Sequence, residues 1–348
     1  MDTVTQIALG ASVGHLVAGR TLGARACVYG AIGGLIPDLD ILLQSEEPLA
    51  EWKYHRGITH SLWFGPVVGS IIGWCAWKLA RWRKPESAGA ADGALKYWIA
   101  LWVLAIFTHP LLDVFTVYGT QLLAPFSRTR FAISGVPIID PVYTFILIAG
   151  LVAIWRFGAR SRTAAIASAI ALTVTTSYLF LGWAQNSRAE KLARASLSAQ
   201  GVNPEVLNAY TTMFTIWQRR LVATTKDRHM VGFVSTLNPQ PINWRVIARD
   251  PNATTLADAA LATPDGQDFR RFAVGPLHAR LDGSTLRLYD MRYGFPGISV
   301  KGIWGAQWSV NGAGPVSRVS RFTNRPKASF DAVVQIFRAG LGLPNTLF

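Results

Sequence analysis

Long apolar runs separated by short polar stretches fill the first half of the chain, and short alternating segments broken by Gly, Pro and Asp fill the second. The apolar runs cover residues 4–19, 26–43, 62–80, 97–117, 138–155 and 164–185. The last four suit the roughly 20 residues that cross a bilayer as a helix. The first two are shorter and contain Gly10, Gly14, Gly30, Gly33 and Gly34. Glycine lets backbones approach, so these two fit closely packed or partly re-entrant helices. The expectation is an α-helical integral membrane domain of about six spans. The opening MDTVTQIALGA lacks the basic region of a signal peptide and predicts a retained helix.

Beyond residue 186 the pattern changes. NSRAEKLARASLSAQ predicts a short polar helix ended by Gly201, and residues 204–222 predict another. HMVGFVSTL, INWRVIAR, RRFAVG, STLRLYDMRYG, GAQWSV and VSRVSRF then alternate with period two between turn residues, as antiparallel strands do. A helix over 330–341 closes the chain. The organisation expected is a membrane-embedded domain over 1–186 and a soluble α+β domain with antiparallel sheet over 187–348.

Composition agrees with a membrane part: 50% of residues are hydrophobic, 16% are charged, and mean hydropathy is +0.25. A soluble protein carries about a quarter charged residues. The net charge of +14 divides as 14 Lys/Arg against 10 Asp/Glu before residue 187 and 20 against 10 after it. No finger, RRM signature or basic helix accompanies it, so nucleic acid is not the expected partner. Arg20 and Arg25, then Arg81, Arg83 and Lys84, then Arg156, Arg160 and Arg162 mark alternate loops as cytoplasmic. Lys53, Arg56, Arg128 and Arg130 fall on the other side, as does the chain after the sixth run. The N-terminus and the C-terminal domain are therefore expected on the outer, extracytoplasmic (periplasmic or extracellular) side of the cytoplasmic (inner) membrane. Cys27 and Cys75 sit in separate apolar runs without a CxxC and are expected as small buried hydrophobes.

Histidine carries the candidate chemistry. Four of the six (His15, His55, His60 and His109) lie in the first 110 residues, the most apolar part of the chain. Ionisable groups there cost several kcal/mol unless paired, hydrated or metal-bound. The second run ends in GGLIPDLDIL, with Asp38 and Asp40 after Pro37. His55 and His60 precede the third run, and His109 and Asp113 share a helix face near the end of the fourth. On the predicted topology all four pieces reach the same membrane side. Imidazole nitrogens with carboxylate oxygens suit Zn²⁺ first, and also Mn²⁺ or Fe²⁺. The set exceeds one tetrahedral shell, so either two metals bind or some residues hold the ligands instead. His55 and His60 reach one ion only if Gly57 breaks the helix between them. Arg128 and Arg130, just beyond Asp113, suit a phosphate or carboxylate of substrate, or equally a lipid headgroup. Asp140 suits a helix cap or a partner for Arg130. His15 fits a hydrogen bond between helices, and His229 and His278 fit ordinary positions in the strand-rich domain.

IPDLD (36–40), HRGITHSL (55–62) and THPLLDVFTVYG (108–119), followed by LLAPFS, resemble in order and spacing the YdjM-like family of membrane-bound, metal-dependent hydrolases. The resemblance covers residues 1–135. It implies an integral membrane hydrolase using a divalent metal, with Asp38, His55, His60, His109 and Asp113 as the positions that carry over. Many members have a histidine after a threonine near the N-terminus; here Thr5 is followed by Gln6, a secondary ligand at most. Three functional classes stand at this point. The first is a hydrolase at the outer membrane–water interface acting on a phosphoester of lipid or another lipid-linked ester. In it His55, His60, His109 and Asp113 hold the metal, Asp38 is ligand or general base, and Asp40 supports them. The second is a metal-stabilised scaffold whose C-terminal domain recognises an envelope partner. The third is a transporter, disfavoured because the polar residues cluster on one side.

Overall fold

Asp2 opens the helical region by accepting the Thr5 amide on its side chain, which caps α1 (Thr3–Leu22). The computed structural model describes residues 1–42, 46–83, 95–294, 300–312, 314–324 and 329–345. Helix α1 crosses α2 (Arg25–Leu35) at backbone contact: a Cβ on Gly30 would lie 2.2 Å from the Gly10 carbonyl oxygen. A 3₁₀ segment, Ile36–Leu42, continues from α2 and carries Pro37, Asp38 and Asp40. The short helix α3 (Ala50–Tyr54) ends before Gly57, and a 3₁₀ turn, Ile58–His60, leads into α4 (Phe64–Arg83). Helix α4 lies along α5 (Leu95–Val114), which runs through Pro110 without ending. Asp140 caps α6 (Pro141–Phe157), and α7 (Arg162–Ser198) follows.

Two of these helices, α5 and α7, are long and apolar enough to span a membrane. A third is reached if the stretch Ala50–His60 and α4, bent by 61°, count as one. About six spans are not supported. The runs 26–43 and 138–155 yield helices of 11 and 17 residues, and α1, although 20 residues long, does not meet the apolar requirement. The glycines that let α1 and α2 touch also dilute their apolar character. Large apolar side chains nonetheless lie exposed on the helices, Phe145, Val152, Trp155, Ile166 and Ile170 among them, as lipid-facing surfaces require. Cys75, expected buried, is exposed on α4. His15 joins helices as expected: Nδ1 meets Ser168 Oγ at 2.6 Å and Nε2 meets the Ala159 carbonyl at 2.9 Å.

The described chain divides into two units. The first comprises Met1–Leu43, Tyr54–Ala132 and Ile139–Phe180; the second comprises Gln44–Lys53, Ile133–Ile138 and Leu181–Phe348. Within the second, an antiparallel sheet runs β1 (Val206–Thr211), β2 (Gln218–Thr224), β3 (Arg228–Ser235), β4 (Arg245–Ala248) in that order. Another sheet takes β5 (Leu277–Asp282), β6 (Thr285–Asp290), β7 (Trp304–Asn311) and β8 (Gly314–Pro315), with β9 (Ser320–Thr323) also on β7. Between them come α8 (Pro251–Ala262) and α9 (Pro264–Phe272), and α10 (Phe330–Gly340) follows the strands.

Three local expectations fail here for identifiable reasons. The polar helix after residue 186 is the end of α7, whose Ala189, Ala193 and Leu197 pack on the first sheet. Residues 204–222 are strand rather than helix. Strand β2 is buried along nearly its whole length, so no alternation is visible. Its Arg219 and Arg220 are buried by donating to carbonyls, Arg219 to Ser134, Gly135 and Gly182, and Arg220 to Met291 and Val300. RRFAVG begins as the last turn of α9, which Thr263 caps at Gly266 with Pro264 in the first position.

Candidate metal centre

Four side chains from three elements meet in the first unit. Asp38 comes from the 3₁₀ segment after α2, His60 from the end of the Ile58–His60 turn, and His109 and Asp113 from one face of α5. One ligand atom of each lies within 4.8 Å of the other three. His60 Nε2 is 3.4 Å from Asp38 Oδ1 and 3.4 Å from Asp113 Oδ2. His109 Nε2 is 3.3 Å from Asp38 Oδ1 and 3.6 Å from Asp113 Oδ2. His60, His109 and Asp113 are buried, whereas the Asp38 side chain keeps 19% of its surface exposed.

Fit to a cation is tested by the hydrogen bonds these atoms lack. His60 Nε2, His109 Nε2 and Asp113 Oδ2 are all buried without a hydrogen-bond partner. Buried polar atoms are seldom left unpaired, and two bare imidazole nitrogens converging on a carboxylate oxygen whose near cation is Arg56 suit a cation site. The opposite ring nitrogens are engaged. His109 Nδ1 donates to the Gly34 carbonyl at 2.6 Å, which leaves the lone pair on Nε2. His60 Nδ1 lies 3.0 Å from Thr59 Oγ1 and 3.5 Å from Asp40 Oδ2.

Asp40 organises the turn instead of joining the cluster. It accepts from the Arg56 amide at 3.0 Å and from Thr59 Oγ1 at 2.9 Å, and it meets His55 Nδ1 at 2.7 Å. Burial pushes its carboxyl up, but His55 and His60 outweigh that and hold it below the usual carboxylate range. Burial likewise raises the Asp38 carboxyl, and the adjacent His109 and His60 more than reverse it. His55, expected as a ligand, stands outside the four: its ring centre is 5.8 Å from that of His60 and its Nδ1 faces Asp40. Gly57 does break the helix, as the spacing required, and a Cβ there would lie 2.6 Å from the Tyr54 carbonyl oxygen.

Gln6 reaches the centre from α1, donating to Asp113 Oδ1 at 3.1 Å, and the Met1 amine also bonds Asp113. Arg56 was legible only as a positive residue on the unexpected side of the membrane. It is buried, with Nε 3.0 Å from Asp113 Oδ2 and Nη1 donating to Thr116 Oγ1 at 2.9 Å. Arg130, expected on substrate, is buried and donates to the carbonyls of Gly119 (2.9 Å) and His55 (3.0 Å), so it braces the HRG turn. Arg128 is exposed. Asp140 caps α6 through Tyr143 N and accepts from the Tyr178 hydroxyl.

Residues 1–188 match the family described as YdjM inner membrane protein, which is more than half of the chain. The chain belongs to the YdjM inner membrane protein family. The matched region contains the whole of the four-residue cluster. The chain is also 29% identical over 169 residues to the uncharacterized protein YfhP of Bacillus subtilis (strain 168). That alignment covers 45% of this chain and 47% of YfhP, so the chain spans about half the length of this relative. No solved structure matches. The protein is thus an inner-membrane-family protein with a cluster able to hold a metal ion.

Proposed function

We propose that the protein is a membrane-bound, metal-dependent hydrolase in which Asp38, His60, His109 and Asp113 hold one divalent cation, Zn²⁺ before Mn²⁺ or Fe²⁺. The observation that carries this is the convergence of two unpartnered, buried imidazole nitrogens and the Arg56-paired Asp113 carboxylate on a fourth ligand that is partly exposed. When bound, such a cation lowers the pKa of a coordinated water and polarises the scissile group. Asp38, reachable from solvent, is placed to bind the cation with one oxygen or to take a proton from an attacking water. Gln6 and Arg56 hold Asp113, and Asp40 holds His60 and the turn that carries it. The substrate class favoured is a phosphoester of lipid or another lipid-linked ester, taken at the outer membrane–water interface, with the exposed Arg128 available to its anionic group. The C-terminal unit is proposed to lie on the extracytoplasmic side of the membrane.

A metal-stabilised scaffold is the second reading, favoured by the burial of three of the four ligands, since structural metal sites are closed and catalytic ones keep an open position. The test is metal content in detergent-purified protein. About one equivalent in wild type, lost in His60→Ala and His109→Ala, is the expected result. An enzyme then loses turnover of a phosphoester or lipid ester in Asp38→Asn while its fold persists. Wild type that stays metal-free after reconstitution removes the basis of both readings.

A further inference from the structure

The second unit contains a cavity of about 470 Å³ that the metal centre does not use. His229 from β3 and His278 from β5 line it, together with Arg249 after β4, Asp258 of α8 and Arg270 of α9. Its size falls within the range of small-molecule pockets. Both histidines are almost wholly buried, at 2% and 4% exposure, with ring centres 5.6 Å apart. His229 Nδ1 is occupied by Thr224 Oγ1 at 3.0 Å, whereas His278 Nδ1 is buried with no hydrogen-bond partner.

The two arginines are anchored but not neutralised. Arg249 Nη1 donates to the carbonyls of Thr225 (3.1 Å) and Lys226 (3.2 Å), and Arg270 Nη1 donates to those of Ala273 (3.4 Å) and Gly275 (3.0 Å). Neither forms an ion pair among the described residues. Fixed guanidinium groups without a carboxylate partner, beside an unpaired buried imidazole nitrogen, are what an oxyanion receptor presents. Asp258 opposes them with a single negative charge, leaving the lining net positive. Ala257, Leu261 and Leu288 add an apolar wall suited to an organic body behind the anionic group.

We propose that this cavity binds a phosphate-class oxyanion, held by Arg249 and Arg270 with His229 and His278 as additional donors. A carboxylate would occupy fewer of these donors than a tetrahedral oxyanion does. Burial acts first on both histidines, then His278 and Arg249 on His229, and Lys301, Arg280 and Arg249 on His278; Arg270 and Asp258 are the other charged groups lining the cavity. Burial first, and then these cationic neighbours, keep both imidazoles neutral. An arriving dianion reverses that balance, so binding takes up protons and tightens as pH falls. The proposal stands independently of the metal centre.

Calorimetric titration of the full-length protein in detergent, at constant ionic strength, tests it with four probes: sulfate, inorganic phosphate, glycerol 3-phosphate and short-chain phosphatidic acid. Sulfate keeps its charge over the range used, so any pH dependence belongs to the protein. Expected is saturable sulfate binding that tightens about threefold or more from about pH 7.5 to about pH 5.5, with proton uptake read from two buffers of different ionisation enthalpy. Arg270→Gln, at an exposed position that leaves folding intact, weakens it about fivefold or more. His278→Gln removes most of the proton uptake. Equal affinity for all small probes identifies free oxyanion as the ligand, and tighter glycerol 3-phosphate identifies a phosphoester headgroup. No saturable heat with the three small probes overturns the proposal, including where phosphatidic acid alone binds. Sulfate binding unchanged in both Arg270→Gln and Arg249→Gln overturns it as well.

Discussion

A carboxylate can serve a metal centre without touching the metal, and Asp40 illustrates how. It ties His55, the Arg56 amide and Thr59 into one turn, and that turn fixes where His60 points. Removing such support weakens metal binding by about 10–100-fold while every ligand remains. Asp40→Ala is therefore expected to retain measurable metal affinity, reduced on that scale, in a competition titration against a chelator. Loss as complete as in His60→Ala would instead make Asp40 a ligand. Gly57 acts at the same scale: Gly57→Ala places a methyl against the Tyr54 carbonyl and is expected to lower metal content by displacing His60. Metal analysis of the folded variant checks it. Arg56, beside Gly57, has φ of +58°, a left-handed conformation that costs a non-glycine residue about 1 kcal/mol or more. Its bonds to Thr116 and Asp113 give the turn a reason to keep it.

Among the elements, the crossing of α1 and α2 determines the position of one side of the centre. Gln6 lies on α1, and the Gly34 carbonyl that orients His109 lies on α2. The helices approach so closely that a methyl on Gly30 meets the Gly10 carbonyl oxygen at 2.2 Å. Relief requires the backbones to separate, because no flexible side chain is there to move. Gly30→Ala should cost about 2 kcal/mol or more of stability. Thermal unfolding in detergent should then show a lowered midpoint and a lowered metal content together. An unchanged midpoint would mean that the two helices are held apart in the membrane. The α5 face was legible from sequence because His109 and Asp113 are one turn apart; the α1–α2 contact was legible only as an abundance of glycine.

At the scale of the whole molecule, acid acts on the second unit through two buried histidines. In the second unit, burial and neighbouring cations depress His229 and His278 to about 4. Both titrate near 6.5 when unfolded, so the unfolded chain binds more protons between these values. Their contribution is therefore fully present above about pH 6.5 and is lost as pH falls toward about 4. Together they amount to a few kcal/mol. The stability of the second unit, followed by tryptophan fluorescence in urea, should fall across that window. A His229→Gln/His278→Gln double variant should fall less steeply, and parallel curves would assign the loss to carboxylates elsewhere.

Hydrophobic pattern determined that helices come first and that an antiparallel sheet region follows, and residue type and spacing offered Asp38, Asp40, His55, His60, His109 and Asp113 as candidate ligands. These are local facts: period, turn residues and a helical repeat, each set within a few residues. Tertiary structure decided what depends on distant partners. It placed His55 on Asp40 rather than in the cluster, because a break at Gly57 can send the two histidines of one turn in different directions. It buried Arg56 and Arg130 by giving them partners up to 75 residues away, where composition offered only an unexplained charge. It also reduced about six expected spans to two or three, since an apolar run specifies burial but not whether helix or lipid will cover it.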